Sequence, residues 1–411
     1  MIHQLQEHGL LSTEPTDRFN NLRLVSWDKP MDNSPWGYHA SYKIGAEWID
    51  DVEALVVTTK RGMENIDFLG MFMTCFSSGL AIERFSTIYQ INSNQPTIEA
   101  PALTNIVSPL IVFHFIGVVS RIKALKKGYV HHEENLLKVK GRVKLLNNER
   151  KNISTKRYER VYCNYTDYSV DIPENRLIKK ALLFSQAFLS HCASHHQSLG
   201  NIKTMLVSSL RLFENVSGDV DMRDVRQVKS HKLFKEYAEA VRLAKMVLKH
   251  FDYSISKVSQ NDGNVTPFVL DMSLLYEHYV YGLLNQAYHE KIIFQYQGKT
   301  GYPDFLYCSE EFKAILDTKY IPKYQDNSLD TYVVRQLSGY GRDLAILRKL
   351  GFDNLCEESE TPPVPCVVIY PEEGIADGNP FDKQKLSDLC VKVPGLSQFY
   401  TMAILLPSIR G

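Results

Sequence analysis

The chain has 411 residues, with 47 Lys and Arg balancing 47 Asp and Glu; at about 150 residues per domain this is room for two to three domains. Zero net charge excludes a binder that coats nucleic acid through overall positive charge, so any such contact needs a local basic patch. The 44% hydrophobic and 11% aromatic content excludes a disordered chain, and seven cysteines with no Cys-x-x-Cys pair read as reduced thiols of a cytoplasmic protein rather than a disulfide framework or a zinc ribbon.

The N-terminus, Met1-Ile-His-Gln-Leu-Gln, has neither a basic region nor an apolar run, so no secretory leader is expected. Residues 1 to about 100 read as short strands and turns. Segments 38–44 and 54–58 carry β-branched and aromatic residues near period two, and Asn, Gly and Pro separate the pieces. Residues 66–76 predict a short helix, and 102–127 a longer buried one that stops at Gly128. The most apolar part of that helix, 106–120, includes Pro109 and His114 and has 15 residues, short of the roughly 20 needed to cross a bilayer. A core helix and no membrane partner are the expectation. Residues 136–146 (LLKVKGRVKLL) alternate apolar and basic residues, the pattern of a strand with one solvated positive face carrying Lys138, Lys140, Arg142 and Lys144. From 121 to 160, 13 Lys and Arg face 4 Asp and Glu, the largest local departure from neutrality. That face suits contact with DNA phosphates or with a partner protein.

The stretch 146–262 reads as helical. Asp171 and Pro173 start a helix whose Leu177, Ile178, Ala181, Leu182, Ala187 and Phe188 share a face, and 233–251 forms another. The polar, glycine-containing segment 259–265 marks a boundary. The last third alternates element types: a helix at 269–290, strands at 292–296, 303–307 and 312–320, an amphipathic helix at 331–349, and strands at 366–370 and 401–406. That α-β-β-β-α-β order implies a mixed sheet with helices packed on it. The chain is thus expected to be α+β overall: a β-rich domain over 1–145, a helical connector over 146–262 and an α/β domain over 263–411.

The chemistry concentrates in Gly301-Tyr-Pro-Asp304 and the strand that ends in Asp317-Thr318-Lys319-Tyr320. As a hairpin turning around Ser309-Glu310-Glu311, the segment sets Asp304 opposite Asp317, on a shared face with Cβ atoms about 5 Å apart. Lys319, two residues beyond Asp317, lies on that face too. Two carboxylates so close repel, and a hard divalent ion, Mg²⁺ or Mn²⁺, resolves the repulsion through oxygen ligands from both, with the Thr318 carbonyl as a third. Such an ion can acidify a water and stabilise charge on a phosphate oxygen. Lys319 beside it can orient or help deprotonate that water. This is a kit for hydrolysing a phosphodiester. Gln336 and Tyr340, at i and i+4 on the following helix, are placed to face the same site.

The arrangement resembles the PD-(D/E)xK nuclease superfamily, whose core has the same α-β-β-β-α-β order. The resemblance implies a restriction-endonuclease-like domain in which Glu277, from the first helix, joins Asp304, Asp317 and Lys319. A second resemblance is carried by Asp171, Asn175, Arg176 and Lys179, which spell Asp-x-x-x-Asn-Arg-x-x-Lys. The segments Glu133 to Arg142, Leu275-Tyr-Glu277, Asp317-Thr-Lys319-Tyr and Gln336-Leu-Ser-Gly-Tyr340 accompany it in order. Over about residues 100–350 the chain is similar to McrC-type proteins, nuclease subunits of McrBC-like restriction systems directed at 5-methylcytosine and other modified DNA. Where that family often carries Pro-Lys after an N-terminal strand, this chain reads Thr59-Lys60. The resemblance implies Mg²⁺-dependent cleavage of double-stranded DNA by the C-terminal third, and docking of the N-terminal part on a hexameric, McrB-like AAA+ GTPase. A rival reading is a non-catalytic regulator that stimulates a partner NTPase and keeps only the nuclease fold. Loss of Asp304, Asp317 or Lys319 would mark that rival, and all three are present.

Other motifs weigh less. Gly298-Lys299-Thr300 looks like the end of a phosphate loop, but Ile293 stands where the upstream glycine belongs, so no NTP site is expected. His191 and His195 have zinc-compatible spacing without further ligands, and read as a solvated helix end. Asn175 and Arg176 read as structural, with Arg serving as a multi-donor fork.

Overall fold

In the computed structural model the described residues are 1–29, 35–63, 65–77, 87–92, 95–192, 200–221, 223, 225, 234–250, 263–321, 329–352, 355, 362–372 and 378–408. The histidine pair His191 and His195 and most of the predicted break at 259–265 lie outside the described side chains. The chain divides into two compact units, Met1–Leu110 with Asn261–Gly411, and Ile111–Gln260. The N-terminal stretch and the C-terminal third, read from sequence as separate domains, therefore share one unit. The mixed helix and sheet content agrees with the α+β expectation.

In the first unit the N-terminal strands are β1 (Ile2–Gln6), β2 (Leu10–Ser12), β3 (Val25–Asp28), β4 (Gly37–Ala40), β5 (Lys43–Trp48) and β6 (Ala54–Thr58). Helix α1 (Phe68–Ser77), β7 (Tyr89–Ile91) and β8 (Ile98–Glu99) follow. After the second unit's elements, the chain returns with β12 (Asn264–Val265) and β13 (Phe268–Asp271). The main N-terminal sheet has the order β1-β6-β5-β13-β7, so a strand from residue 268 onward sits between strands from the first hundred. Leu270 of β13 pairs with Ile44 on one side and Tyr89 on the other. The sequence reading had this segment as the start of a helix. An apolar run this short looks alike as buried strand or buried helix, and pairing on both edges decides for strand. Asp271 then caps the helix α7 (Met272–Tyr288), accepting from the Ser273 and Leu274 amides at 3.1 Å each. The smaller sheet β2-β4-β3 contributes Val25, Tyr38 and Ala40 to a core shared with Leu55, Val57 and Val269.

The C-terminal sheet has the order β14-β15-β16-β17-β19-β18, from Ile292–Phe294 (β14), Phe305–Cys308 (β15), Lys313–Thr318 (β16), Cys366–Glu372 (β17), Val391–Lys392 (β18) and Phe399–Leu405 (β19). Strands β14 to β16 are antiparallel, and β16, β17 and β19 run parallel. One face is covered by helices α8 (Thr331–Tyr340) and α9 (Leu344–Lys349), whose Leu337, Ile346 and Leu347 pack with Leu306, Ile315 and Val368. Alternation turns Phe305 the other way, where its ring stacks on Tyr281 of α7 at 6.0 Å. The helix predicted over 331–349 is thus two helices, because Asp343 ends the link between them by capping Ala345 at 2.9 Å.

The second unit contains most of α2 (Thr104–Ser120), the strands β9 (Gly128–Leu136), β10 (Arg142–Val143) and β11 (Val161–Ser169), the short helix α3 (Leu145–Asn148), and the helices α4 (Pro173–Cys192), α5 (Gly200–Leu212) and α6 (Lys235–His250). Two expectations are corrected here. The region is not wholly helical, since β9 and β11 form a nine-residue antiparallel pair from Tyr129↔Tyr168 and its neighbours. Residues 136–146 are not one strand either. Strand β9 ends at Leu136 and the chain turns at Gly141, whose φ is +69°. A Cβ at Gly141 would lie 2.5 Å from the Asn164 carbonyl oxygen, so the turn needs glycine. Lys138 and Lys140 therefore sit in a turn rather than on a strand face. Among the described residues no helix is long and apolar enough to cross a membrane.

The topology makes a direct prediction. A fragment ending at residue 262 lacks β13, a central strand of the N-terminal sheet, and should lose the cooperative melt that the full chain shows by circular dichroism. A second prediction concerns His114, buried in α2 and pushed down to about 4, first by burial, with Arg242 and Arg121 adding and Glu239 opposing. Its folded value lies below the unfolded one, so the unfolded chain takes up the proton first. The contribution is present above pH 6.5 and lost as pH falls towards 4, by about 3 kcal/mol at most. His114→Gln should flatten the acid limb of a stability-versus-pH series.

Candidate active site

The register of β15 and β16 is Phe305↔Leu316 through Cys308↔Lys313, and the Ser309 amide donates to the Phe312 carbonyl at 3.1 Å to close the turn. Carried one residue further, it sets Asp304 opposite Asp317, the pairing expected from sequence. Flanking Phe305, Leu306, Ala314, Ile315 and Leu316 are all buried, so the two aspartates terminate an apolar hairpin. Strand β16 is interior, and its parallel pairing with β17 continues past its end, where the Lys319 amide donates to the Ile369 carbonyl at 2.8 Å. Asp317 and Lys319 thus emerge at the carboxyl end of parallel strands, the usual location of sites in α/β sheets.

Four predicted residues meet there. Asp304 Oδ2 accepts from the Thr318 amide at 2.6 Å and the Thr318 hydroxyl at 2.5 Å. Lys319 Nζ forms an ion pair with Asp317 Oδ2, a buried oxygen with no other hydrogen-bond donor among the described residues. Asp317 is only 1% exposed. Burial pushes the Asp304 carboxyl well above the carboxylate range, and the charges of Asp317 and then Glu277 push it further, against the two bonds from Thr318. Asp317 is raised by burial and partly restored by Lys319. For Lys319, burial acts downward, and the carboxylates of Asp317 and Asp304 outweigh it to raise the ammonium. One ammonium therefore faces more carboxylate charge than it can offset.

Glu277 stands on α7, 8% exposed, with Oε1 accepting from Gln295 Nε2 at 2.7 Å. Its charge reaches Asp304, yet among the described residues no three His, Cys, Asp or Glu side chains are grouped to hold a metal ion. Gln336 Nε2 donates to Tyr340 Oη at 2.9 Å, and Tyr340 Oη donates to the Tyr302 carbonyl at 3.2 Å. Burial raises the Tyr340 phenol, and the charges of Asp317, Asp304 and Lys319 all act on it, so α8 does face the site. Gly301, φ +139°, lets the Pro303-Asp304 approach pass Tyr340, whose ring would lie 3.1 Å from a Cβ there. Two carboxylates, a backbone oxygen and solvent suit Mg²⁺, which commonly takes one or two protein carboxylates and keeps its waters. Asp317 Oδ2, met only by the Lys319 ammonium among the described residues, is consistent with such a ligand.

The remaining candidates have other roles. The Thr300 amide and hydroxyl donate to Asp343 Oδ2 at 2.8 and 3.0 Å, so Gly298-Lys299-Thr300 is a loop tied to the cap of α9 and no phosphate cradle. In the second unit, Arg176 grips Asp171 through Nε at 2.9 Å and Nη2 at 2.7 Å. Asn175 Nδ2 donates to the carbonyls of Lys126 and Val170, and Lys179 Nζ donates to those of Glu214 and Val216. That signature is a brace, as its residue types suggested. Lys140 donates to Asp167 at 2.6 Å, Lys144 pairs with Glu133, and Lys138 and Arg142 are exposed. Sequence reasoning missed the Thr318 hydroxyl as the clamp on Asp304. It also missed Glu7 and Lys60, which reach Tyr320 next to Lys319; the lone cue was Lys60 at the place of the family's Pro-Lys.

The raised Asp304 carboxyl predicts a stability trend for the metal-free protein. Its contribution is complete below pH 3.8 and is lost as pH rises toward the folded value. Asp304→Asn, which keeps an acceptor for Thr318, should raise the melting temperature at pH 8 and change it little at pH 4. An equal shift at both pH values would contradict a buried, charge-strained Asp304.

A family model described as McrBC 5-methylcytosine restriction system component matches residues 98–340. No curated protein matches the chain. Among solved structures, a half-complex from the tetradecameric assembly of Thermococcus gammatolerans McrB AAA+ hexamers with bound McrC is 13% identical. That match covers 100% of this chain and 95% of that one at a TM-score of 0.38. The cryo-EM structure of the Thermococcus gammatolerans McrBC complex is also 13% identical, covering 71% of this chain and 90% of that one at a TM-score of 0.30.

Proposed function

Because the chain belongs to the family of McrBC 5-methylcytosine restriction system components, we propose that it is the McrC-type nuclease subunit of such a system and hydrolyses DNA phosphodiesters with Mg²⁺ or Mn²⁺. The observation that carries this reading is the convergence of Asp304, Asp317 and Lys319 at the end of an interior strand. Asp304, Asp317 and the Thr318 carbonyl are the oxygens offered to the ion. When bound, the ion would supply charge stabilisation at the scissile phosphate and a more acidic water. Lys319 orients the attacking water and offsets anionic charge developing on the phosphate. Thr318 fixes the Asp304 carboxylate, and Glu277, held by Gln295, adds negative potential that favours the cation. Tyr340 and Gln336 shape the α8 wall of the site.

We assign partner docking to the second unit. The chain from the β9–β10 turn into α3 exposes Leu137, Val139, Leu145 and Leu146, with Leu145 and Leu146 78% and 77% exposed. An apolar patch of this kind beside basic Lys138 and Arg142 suits a protein interface better than a DNA backbone, and two of the four predicted basic contacts are already occupied by acids. The partner consistent with the family is an AAA+ GTPase of the McrB type.

Asp304→Ala and Lys319→Ala should each lower DNA cleavage in Mg²⁺ by at least a hundredfold while preserving the fold and partner binding. Cleavage at the unsubstituted rate by both variants would remove the nuclease assignment and leave the non-catalytic regulator. For the docking assignment, Leu145→Ser with Leu146→Ser should weaken motor binding at least tenfold in pull-down titrations. Replacing Lys138 and Arg142 by Gln should leave the slope of log K for DNA against log salt unchanged, whereas two phosphate contacts would flatten it by about 1.8.

A further inference from the structure

We propose that Lys60, supported by Glu7, is a positioning residue for the nuclease centre, holding the main chain immediately after Lys319. The inference rests on the nuclease reading above. Lys60 lies two residues beyond β6 and is 9% exposed; its Nζ donates to the Tyr320 carbonyl at 3.0 Å and stands 3.6 Å from the centroid of the Tyr320 ring. The Lys60 amide donates to Glu7 Oε2 at 3.0 Å. Glu7, 5% exposed at the end of β1, also accepts from Tyr320 Oη at 3.5 Å, and its own amide donates to the Thr58 carbonyl at 3.0 Å. Residues from the first sixty positions thus grip the backbone and side chain of the residue after the catalytic lysine.

A buried carboxylate and a buried ammonium side by side are an expensive way to fill space, since apolar residues of equal volume commonly serve stability as well or better. Burial pushes the Glu7 carboxyl up to about 7 and the Lys60 ammonium down to about 8, each against the pull of the other. Glu7 Oε1 is buried without a hydrogen-bond partner among the described residues, so the pair is not a fully satisfied core network. What it provides is aim. The Lys319 amide is bound to Ile369 on the sheet side, the Ile321 amide turns back to the Lys319 carbonyl at 2.8 Å, and Lys60 holds the Tyr320 carbonyl between them. Those bonds set where the Lys319 side chain leaves the strand. A displacement of about 1 Å in a reacting group can cost about a hundredfold in rate.

The test uses the full chain with Mg²⁺ and a double-stranded DNA substrate. Lys60→Met keeps the length of the side chain and removes the ammonium. It should melt within a few degrees of the unsubstituted protein, bind DNA in Ca²⁺ within twofold, and lose at least tenfold in kcat at unchanged KM. Lys60→Arg should recover part of that loss. Glu7→Gln keeps the acceptor for the Lys60 amide and withdraws the countercharge; it should lose severalfold in kcat at unchanged KM, and decides the matter if Lys60→Met does not fold. Hydrogen exchange supplies a readout independent of cleavage: Lys60→Met, or Glu7→Gln in its place, should speed exchange at Lys319 and Ile321 while leaving β17 as it was. If the unsubstituted protein does not cut DNA, the nuclease reading fails and the exchange data alone judge the clamp. Unsubstituted kcat in a folded Lys60→Met, a change confined to KM, or unaltered exchange at Lys319 and Ile321 would each overturn the proposal.

Discussion

Asp304 and Asp317 face each other at the end of an interior strand with, among the described residues, Lys319 alone paired to offset them, and neither can move away. Asp317 belongs to the ladder between β16 and β17, and Asp304 is pinned by the amide and hydroxyl of Thr318. Inside a protein such repulsion is relieved by protonation or by a cation. At a surface water would relieve it, but Asp317 is only 1% exposed. On the proposed reading the same burial suits the carboxylates to hold a cation, because a weakly solvated oxygen gains more from a metal ion than a hydrated one.

The first unit is built to hold that geometry still. Strand β13 puts the C-terminal part of the chain in the middle of the N-terminal sheet, and Asp271 at its end caps the helix that carries Glu277. Displacing the N-terminal sheet would therefore disturb the start of α7 as well as the grip of Lys60 on Tyr320. A site that shares its scaffold with distant sequence is open to control through that scaffold.

The second unit has a different economy. The polar contacts at the start of α4 are internal braces: Asp171 with Arg176 and the Ser217 amide, Asn175 with two carbonyls, Lys179 with two more. These bonds stiffen the start of α4 and place no reactive group. Its outward features are apolar side chains around the β9–β10 turn, which a solitary protein has little reason to expose.

Much of this was legible in the sequence. The apolar runs at 305–308 and 313–318, with a polar turn between them, pointed to the hairpin and hence to the pairing of Asp304 with Asp317, because strand register follows from turn position. The start of α4 at Pro173 and the order of the C-terminal elements were legible for the same local reason. The alternating basic run failed because alternation states a preference for strand and not the presence of a partner; glycine at 141 turned the chain instead. The strand before α7 was hidden because a few buried apolar residues fit either element, whereas the break between α8 and α9 lies at Gly341-Arg342-Asp343, whose glycine and capping aspartate were legible signals that the longer apolar period masked. Lys60, Glu7 and Thr318 could not be assigned from sequence, since their roles depend on contacts across up to 313 positions of chain. Local pattern, in this protein, determined which residues meet at the candidate site; only the tertiary structure decided what holds them, because burial and pairing between distant segments leave no periodic trace in either one.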